Sequence, residues 1–249
     1  MTRLVPCGEP PTHFRFSGVA ALGLPHITTT RHFPGVTASS QPTAPFNADA
    51  REALRAANLD GARLSYLKQV HGAGALRAPA GGGYAGVGDI LTTTQPGVPL
   101  AVFTADCLAI TLWDSVARVL TVAHAGWRGT VKGVAGAAVK AAVQAGARAD
   151  ELHVTIGPSI GPCCYEVDEP VLRDFGRAHG RRAQAWFTPK RGGHAMLDLW
   201  GANEALLADA GIDRAKVHNA RLCTACHVDL LYSYRKGNRG RLVTVAALP

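Results

Sequence analysis

Two short apolar runs separated by a polar break constrain this chain more than any other feature. The first covers Leu108 to Trp113 and the second Arg118 to Ala123, with Asp114-Ser115 between them. Both are rich in apolar and β-branched residues, the pattern of strands buried on two faces. A break this short joins them as an antiparallel hairpin. Folded about the Ser115/Val116 midpoint, the hairpin sets Cys107 opposite His124. Facing residues on one side of a sheet have Cβ atoms about 5 Å apart. That separation suits two ligands of one metal ion, or a nucleophile and its base.

A third group comes from upstream. The strand-like run Leu64 to Val70 ends at His71-Gly72. Three strand ends thus carry His71, Cys107 and His124. Two imidazoles and a thiolate make a zinc or copper set and leave a coordination position for water or substrate. The residues alone also allow a plainer reading, with His71 capping a strand and Cys107 a small buried hydrophobe.

Further strands are predicted near 26–31, 89–93, 100–105, 152–157, 216–222 and 241–247. Helices are predicted near 48–59 after the cap-like Asn47, near 130–145, near 169–178 after Asp168 with Pro170 in its first turn, and near 197–210 ending at Gly211. Central strands adjoin without an intervening helix, so strict βα alternation fails. The pattern argues for an α+β chain with mixed or antiparallel sheets, each covered on both sides. With 249 residues and 47% hydrophobic content, the chain is read as one domain over 1–249. The stretch Ala78 to Gly83 reads as a loop, because strands continue on both sides.

No run approaches the roughly 18 apolar residues of a membrane span. The N-terminal segment lacks a signal peptide's apolar core, so a cytoplasmic location without a membrane partner is expected. Lys plus Arg number 26 against 18 Asp plus Glu. The basic residues are scattered, apart from Arg181-Arg182 and the tail from Arg235 to Arg241. Nucleic acid as a partner is not indicated, since neither a clustered patch nor a recognition module is present. A basic surface suits anionic substrates such as phosphate.

The segment His124 to Thr130 links a strand to the helix predicted near 130–145. Its glycines let the backbone approach a ligand, and Arg128 adds a fork that grips phosphate or carboxylate. An ordinary glycine turn with a solvated Arg is the competing account. Arg31, after Thr28-Thr29-Thr30, offers a further cation. The segment Ile156 to Val167 contains two Gly-Pro pairs and reads as a rigid loop that either lines a pocket or braces a sheet edge.

The six cysteines do not form a disulfide framework, since Cys163-Cys164 are adjacent and a large core needs no staples. Cys223-Thr224-Ala225-Cys226-His227 fits the C-x-x-C-H pattern of haem attachment. That chemistry occurs outside the cytoplasm, and no export signal is evident. A structural zinc site needs a second cysteine pair, which the sequence does not place nearby. Chance and packing are the expected account of this motif.

The chain resembles the bacterial laccase-domain family. The resemblance rests on Lys68-Gln69-Val70-His71-Gly72, Gly88-Asp89, Thr104-Ala105-Asp106-Cys107 and His124-Ala125-Gly126-Trp127-Arg128-Gly129. It continues through Ile156-Gly157-Pro158, Cys164-Tyr165-Glu166-Val167, Cys223-Thr224 and Ser233-Tyr234-Arg235. The family was named as polyphenol oxidases and later assigned purine nucleoside phosphorylase and adenosine deaminase activity. The resemblance implies a four-layer α/β/β/α sandwich. It implies His71, Cys107 and His124 as metal ligands and catalytic residues, with zinc as cofactor and copper as the alternative. It matches Arg31 and Asn47 to the family's early arginine and asparagine, which with Arg128 make the substrate contacts. Cysteine at 223 is usual in the family, whereas Cys226-His227 is not a signature. Departures are the segment His32 to Thr37, Lys236 in place of a second arginine, and Arg239-Gly240-Arg241 at the closing motif.

Three activities follow. The leading one is phosphorolysis of purine nucleosides (adenosine, inosine, methylthioadenosine) by a monomer or homodimer, with adenosine deamination as a side activity. Copper-dependent phenol oxidation is the second; none of the ten histidines sits in a His-x-His pair, which counts against a multicopper relay. The third is a hydrolase in which Cys107 attacks an amide, such as that of a peptidoglycan precursor, with His124 as base.

Overall fold

In the computed structural model, which describes residues 3–35 and 46–249, the apolar runs become strands. The first half contributes β1 (Leu4–Cys7), β2 (His13–Phe16), β3 (His26–Thr29), β4 (Ser65–Lys68), β5 (Ala75–Arg77), β6 (Gly83–Val87), β7 (Ile90–Thr93) and β8 (Leu100–Thr104). The second half contributes β9 (Leu108–Asp114), β10 (Val119–Ala125), β11 (His153–Ile156), β12 (Glu166–Val167), β13 (Phe187–Pro189), β14 (Ala195–Leu197), β15 (Val217–Asn219) and β16 (Leu242–Ala246). The α-helices are α1 (Ser17–Ala21), α2 (Ala48–Ala56), α3 (Trp127–Val131), α4 (Val134–Gln144), α5 (Glu169–His179) and α6 (Leu199–Asp209).

Two large mixed sheets form. One runs β1-β2-β3-β16-β8-β4-β6 and the other β15-β11-β9-β10-β7-β5. β12, β14 and β13 make a small third sheet. The alternation of side chains explains the layering. On β9, Ile110 and Leu112 face α4 and α6, where Ala138, Ala142 and Leu207 are fully buried. Ala109 and Trp113 face the other large sheet, meeting Leu100, Val102 and Ala246. The far side of that sheet, with Ala101 and Val245, is covered by Ala50 and Leu54 of α2. The order is therefore helix, sheet, sheet, helix. Strands buried on both faces need no polar alternation, which is why these runs read as continuously apolar. No helix among the described residues is long and apolar enough to cross a membrane.

The hairpin register differs from the sequence-based expectation. His124 pairs with Ala109, and Ala125 with Leu108, so Cys107 extends toward Gly126 rather than His124. The turn is centred one residue later than expected, over 115–118, with Asp114 paired to Val119. The Asp114 carboxylate accepts from the N–H groups of Val116 and Ala117 at 2.9 and 2.8 Å, and Arg118 takes a φ of +53°. The displacement is two residues, and side chains alternate with period two. Cys107 therefore stays on the face of His124, as a diagonal neighbour.

The helix expected near 130–145 is two helices. α3 begins at Trp127, and Gly133 at φ +79° breaks the path before α4. Arg128 thus lies within a short helix, not in a loop ahead of a long one. The irregular stretch anticipated before Asn47 falls mostly outside the described residues.

The chain crosses from the first large sheet to the second three times in succession. It does so between β4 and β5, between β6 and β7, and between β8 and β9. The crossings carry His71, Asp89 and Cys107 in turn. Repeated passage over one seam is what gathers residues distant in sequence.

Candidate metal centre and its cavity

Each crossing is held by hydrogen bonds that leave little freedom. The Gln69 side chain continues β4 beside β8, donating to Phe103 O and accepting from Phe103 N, both at 2.8 Å. The next residues turn sharply, with His71 at φ +57°. A non-glycine residue there costs on the order of 1–3 kcal/mol and persists only when its surroundings impose it. Asp89 imposes it. Its buried carboxylate accepts from the N–H groups of Val70, His71 and Gly72, the last two at 2.9 and 2.7 Å. It also accepts from His124 Nδ1 at 2.8 Å. Burial alone would raise the Asp89 pKa, but His124 and these N–H groups hold it below the usual carboxylate range.

The Cys107 turn is built the same way. Asp106 sits at φ +83°. Its carboxylate accepts from Thr224 Oγ1 at 2.6 Å and Arg235 N at 2.7 Å. The turn is thereby fastened to two late segments of the chain.

One donor atom from each of His71, Cys107 and His124 lies within 4.8 Å of the others. The two imidazole rings meet edge-on, with centroids 4.7 Å apart. His124 is buried, Cys107 partly buried and His71 exposed. Removal from water would push the Cys107 thiol up, but His124 and His71 reverse this and bring it to about 6. Burial would lower His124, yet Asp89 and Cys107 raise it to about 9. The pair therefore favours a thiolate beside an imidazolium. Gly126 keeps the space open: a Cβ there would lie 2.7 Å from Cys107 Sγ and 3.2 Å from His71 Cδ2.

The three donors open into a cavity of about 700 Å³. Its walls carry the planar side chains of Trp127 and Tyr165 and the cations Lys68, Arg128, Arg235 and Arg241. The Arg128 guanidinium stacks 4.2 Å from the Trp127 ring centroid. Arg235 lies over Tyr165 at 5.2 Å and donates to Glu166 O. Burial pushes the Tyr165 phenol well up, so it stays a neutral hydroxyl.

The profile of the family described as multi-copper polyphenol oxidoreductase laccase matches residues 40–249. The chain belongs to that family. It is 40% identical over 245 residues to a purine nucleoside phosphorylase of Deinococcus radiodurans, covering 92% of this chain and 90% of that one. It is 38% identical over 158 residues to adenosine deaminase RL5 of an unknown prokaryote, covering 63% of this chain and 60% of that protein. Among solved structures, YlmD of Geobacillus stearothermophilus superposes with a TM-score of 0.85 at 26% identity, covering 98% of this chain and 99% of YlmD.

Within this laccase-family chain, the expected site residues fall into two groups. His71, Cys107, His124 and Arg128 share the cavity. Arg31 and Asn47 are not among the residues that line it. Arg31 donates to Val228 O and packs over Tyr232 at 5.3 Å. Asn47 caps α2, accepting from Ala50 N at 2.9 Å. Three site residues escaped the sequence reading as such: Asp89, Tyr165 and Arg235. All stood inside motifs already noted. Gly88-Asp89 just before an apolar run was the available signal for the first.

Proposed function

We propose that the chain is a metal-dependent purine nucleoside phosphorylase with adenosine deaminase activity, acting on adenosine, inosine and methylthioadenosine. One observation carries this reading: a single cavity joins an imidazole–imidazole–thiol cluster to exposed cations and planar rings. The named relatives in the family support it.

The donor set fits zinc, which takes nitrogen and sulfur ligands and keeps a fourth position open in reactive sites. His71, Cys107 and His124 would hold the ion. Bound zinc supplies electrostatic stabilisation of charge that develops on the departing purine. The protein's own groups do the rest. Asp89 bonds Nδ1 of His124, so Nε2 would give up its proton and offer its lone pair to a bound ion. Trp127 and Tyr165 offer faces to a purine, and base–aromatic stacking contributes about 1–3 kcal/mol. Arg128 presents a two-pronged donor to phosphate. In phosphorolysis a phosphate oxygen bonds to ribose C1′ as the C1′–N9 bond breaks, and the electron pair leaves with the purine. The cations offset the charge of the incoming dianion.

Deamination is the second reading of the same site. Zinc deaminases use His and Cys ligands, and water there replaces the adenine amino group. Phenol oxidation is less well supported. The two metal-competent groups among the described residues contain two histidines between them, short of a coupled copper cluster.

Product analysis separates these readings. Zinc-loaded protein incubated with inosine should give hypoxanthine and ribose 1-phosphate only when phosphate is present. Free ribose formed without phosphate would overturn the phosphorylase reading in favour of a hydrolase. Adenosine converted to inosine measures deamination independently.

A further inference from the structure

The C-x-x-C-H motif, expected to be chance and packing, has the partner pair that the sequence concealed. Cys163, Cys164, Cys223 and Cys226 bring their Sγ atoms within 4.8 Å of one another. Cys226 Sγ lies 3.6 Å from Cys163 Sγ and 3.4 Å from Cys164 Sγ. These gaps are too long for a disulfide, whose sulfurs sit about 2.05 Å apart. They are close to what a tetrahedral ion requires. Four sulfurs about 2.3 Å from zinc stand about 3.8 Å from each other.

The backbone favours charge on one of these sulfurs. Gly161 N–H donates to Cys223 Sγ at 3.2 Å. His227 is not among the converging donors; its Nδ1 bonds to Cys223 O at 2.9 Å. Main-chain bonds pin the two segments together, with Ser159 N to Leu222 O and Thr224 N to Ser159 O both at 3.2 Å. Four thiolates and no imidazole make a closed set, which selects zinc and leaves no position for a substrate.

We propose that Cys163, Cys164, Cys223 and Cys226 form a second, structural zinc site that fastens the Ile156–Val167 loop to the Leu222–His227 turn. This inference does not depend on the reading of the first site. Its consequence reaches the cavity through neighbours in sequence. Tyr165, which lines the cavity, follows Cys164 directly. Thr224, between Cys223 and Cys226, donates to Asp106 beside Cys107. The ion thus orders one wall of the cavity without touching its contents. Binding displaces the thiol protons, so up to four are released per ion taken up.

The test is metal content of the full chain, purified under reducing conditions in zinc-containing medium, with thermal melting to verify folding. Cys107→Ala empties the first site, and the exposed His71→Ala serves the same purpose should the cysteine variant misfold. The expected result is one zinc per chain in this background. Adding Cys163→Ser and Cys226→Ser, both exposed positions, should remove it. Cobalt substituted into the Cys107→Ala protein should give strong thiolate-to-cobalt charge-transfer absorption, lost in the triple variant. Absence of metal from the Cys107→Ala and His71→Ala proteins overturns the proposal. So does metal retained in the triple variant, or the four cysteines isolated as two disulfides.

Discussion

At His71, Cys107 and His124 the donors are mixed nitrogen and sulfur, backed by a buried carboxylate and open to a cavity. At Cys163, Cys164, Cys223 and Cys226 they are all sulfur, nearer the surface, and held by main-chain bonds. The first has three donors and room for a fourth. The second has four and no room. Both draw on segments far apart in sequence, yet the folding device differs. The first cluster is made by repeated crossing between two sheets, whose rigidity fixes the donors. The second is made by two loops pinned by main-chain bonds, which the proposed ion would fasten further. Donor number and openness, more than the presence of cysteine, separate a reactive centre from a fastening.

The largest expected effect breaks the comparison if it fails. Cys107→Ala or His124→Ala should reduce nucleoside turnover by more than about a hundredfold, beyond the 10–100-fold cost of losing a supporting residue. Cys163→Ser with Cys226→Ser should instead lower the unfolding midpoint and spare most turnover at low temperature. Steady-state rates and thermal melts on the same samples check both. If the two sets of variants exchanged phenotypes, the assignment of roles would be reversed.

Asp89→Asn comes next. It keeps the shape but puts an amide where four donors converge. Zinc affinity or turnover should fall by about 10–100-fold, with metal at the four-cysteine cluster unchanged. Zinc titration with a competing chelator reads this directly.

Arg128→Ala should raise the KM for phosphate about tenfold, the loss of a charged hydrogen bond of about 1.5 kcal/mol. The KM for inosine should move little. Initial rates at varied phosphate measure it, and an effect confined to inosine would reassign Arg128 to the sugar or base.

The smallest effect tests packing. Gly126→Ala places a methyl 2.7 Å from Cys107 Sγ, where backbone φ of −85° is ordinary for alanine. The thiol must move, at a cost near the lower end of the range for overpacking, about 1 kcal/mol. A few-fold weaker hold on zinc is expected, measured by the same chelator competition. Unaltered affinity would mean that the cluster tolerates displacement of its sulfur.

Much of the central fold was legible because buried strands leave continuous apolar runs. β3, β4, β7 to β11, β15 and β16 lie where such runs predicted them. β1, β2, β5 and β6 were missed, since they are short and only partly covered, and Gly83 and Gly86 interrupt β6. The hairpin register differs from the expectation because Asp114 still pairs, with Val119, and caps a turn centred one residue later, in which Arg118 takes a positive φ. Cys107 does not lie opposite His124, but period-two alternation keeps the two on one face. No local pattern gives Asp89 its role, which exists only once separate segments meet on one carboxylate. The cysteine pairs at 163–164 and 223–226 were each visible, but a parallel bridge between Ser159 and Cys223 is what unites them. No local pattern encodes such a contact.

The most direct test is zinc-edge X-ray absorption on the Cys163→Ser/Cys226→Ser protein, which isolates the first site. The expected shell is two imidazole nitrogens at about 2.0–2.1 Å, one sulfur at about 2.3 Å and one further light donor. A shell of several sulfurs, or protein without zinc, would contradict convergence of His71, Cys107 and His124 on one ion.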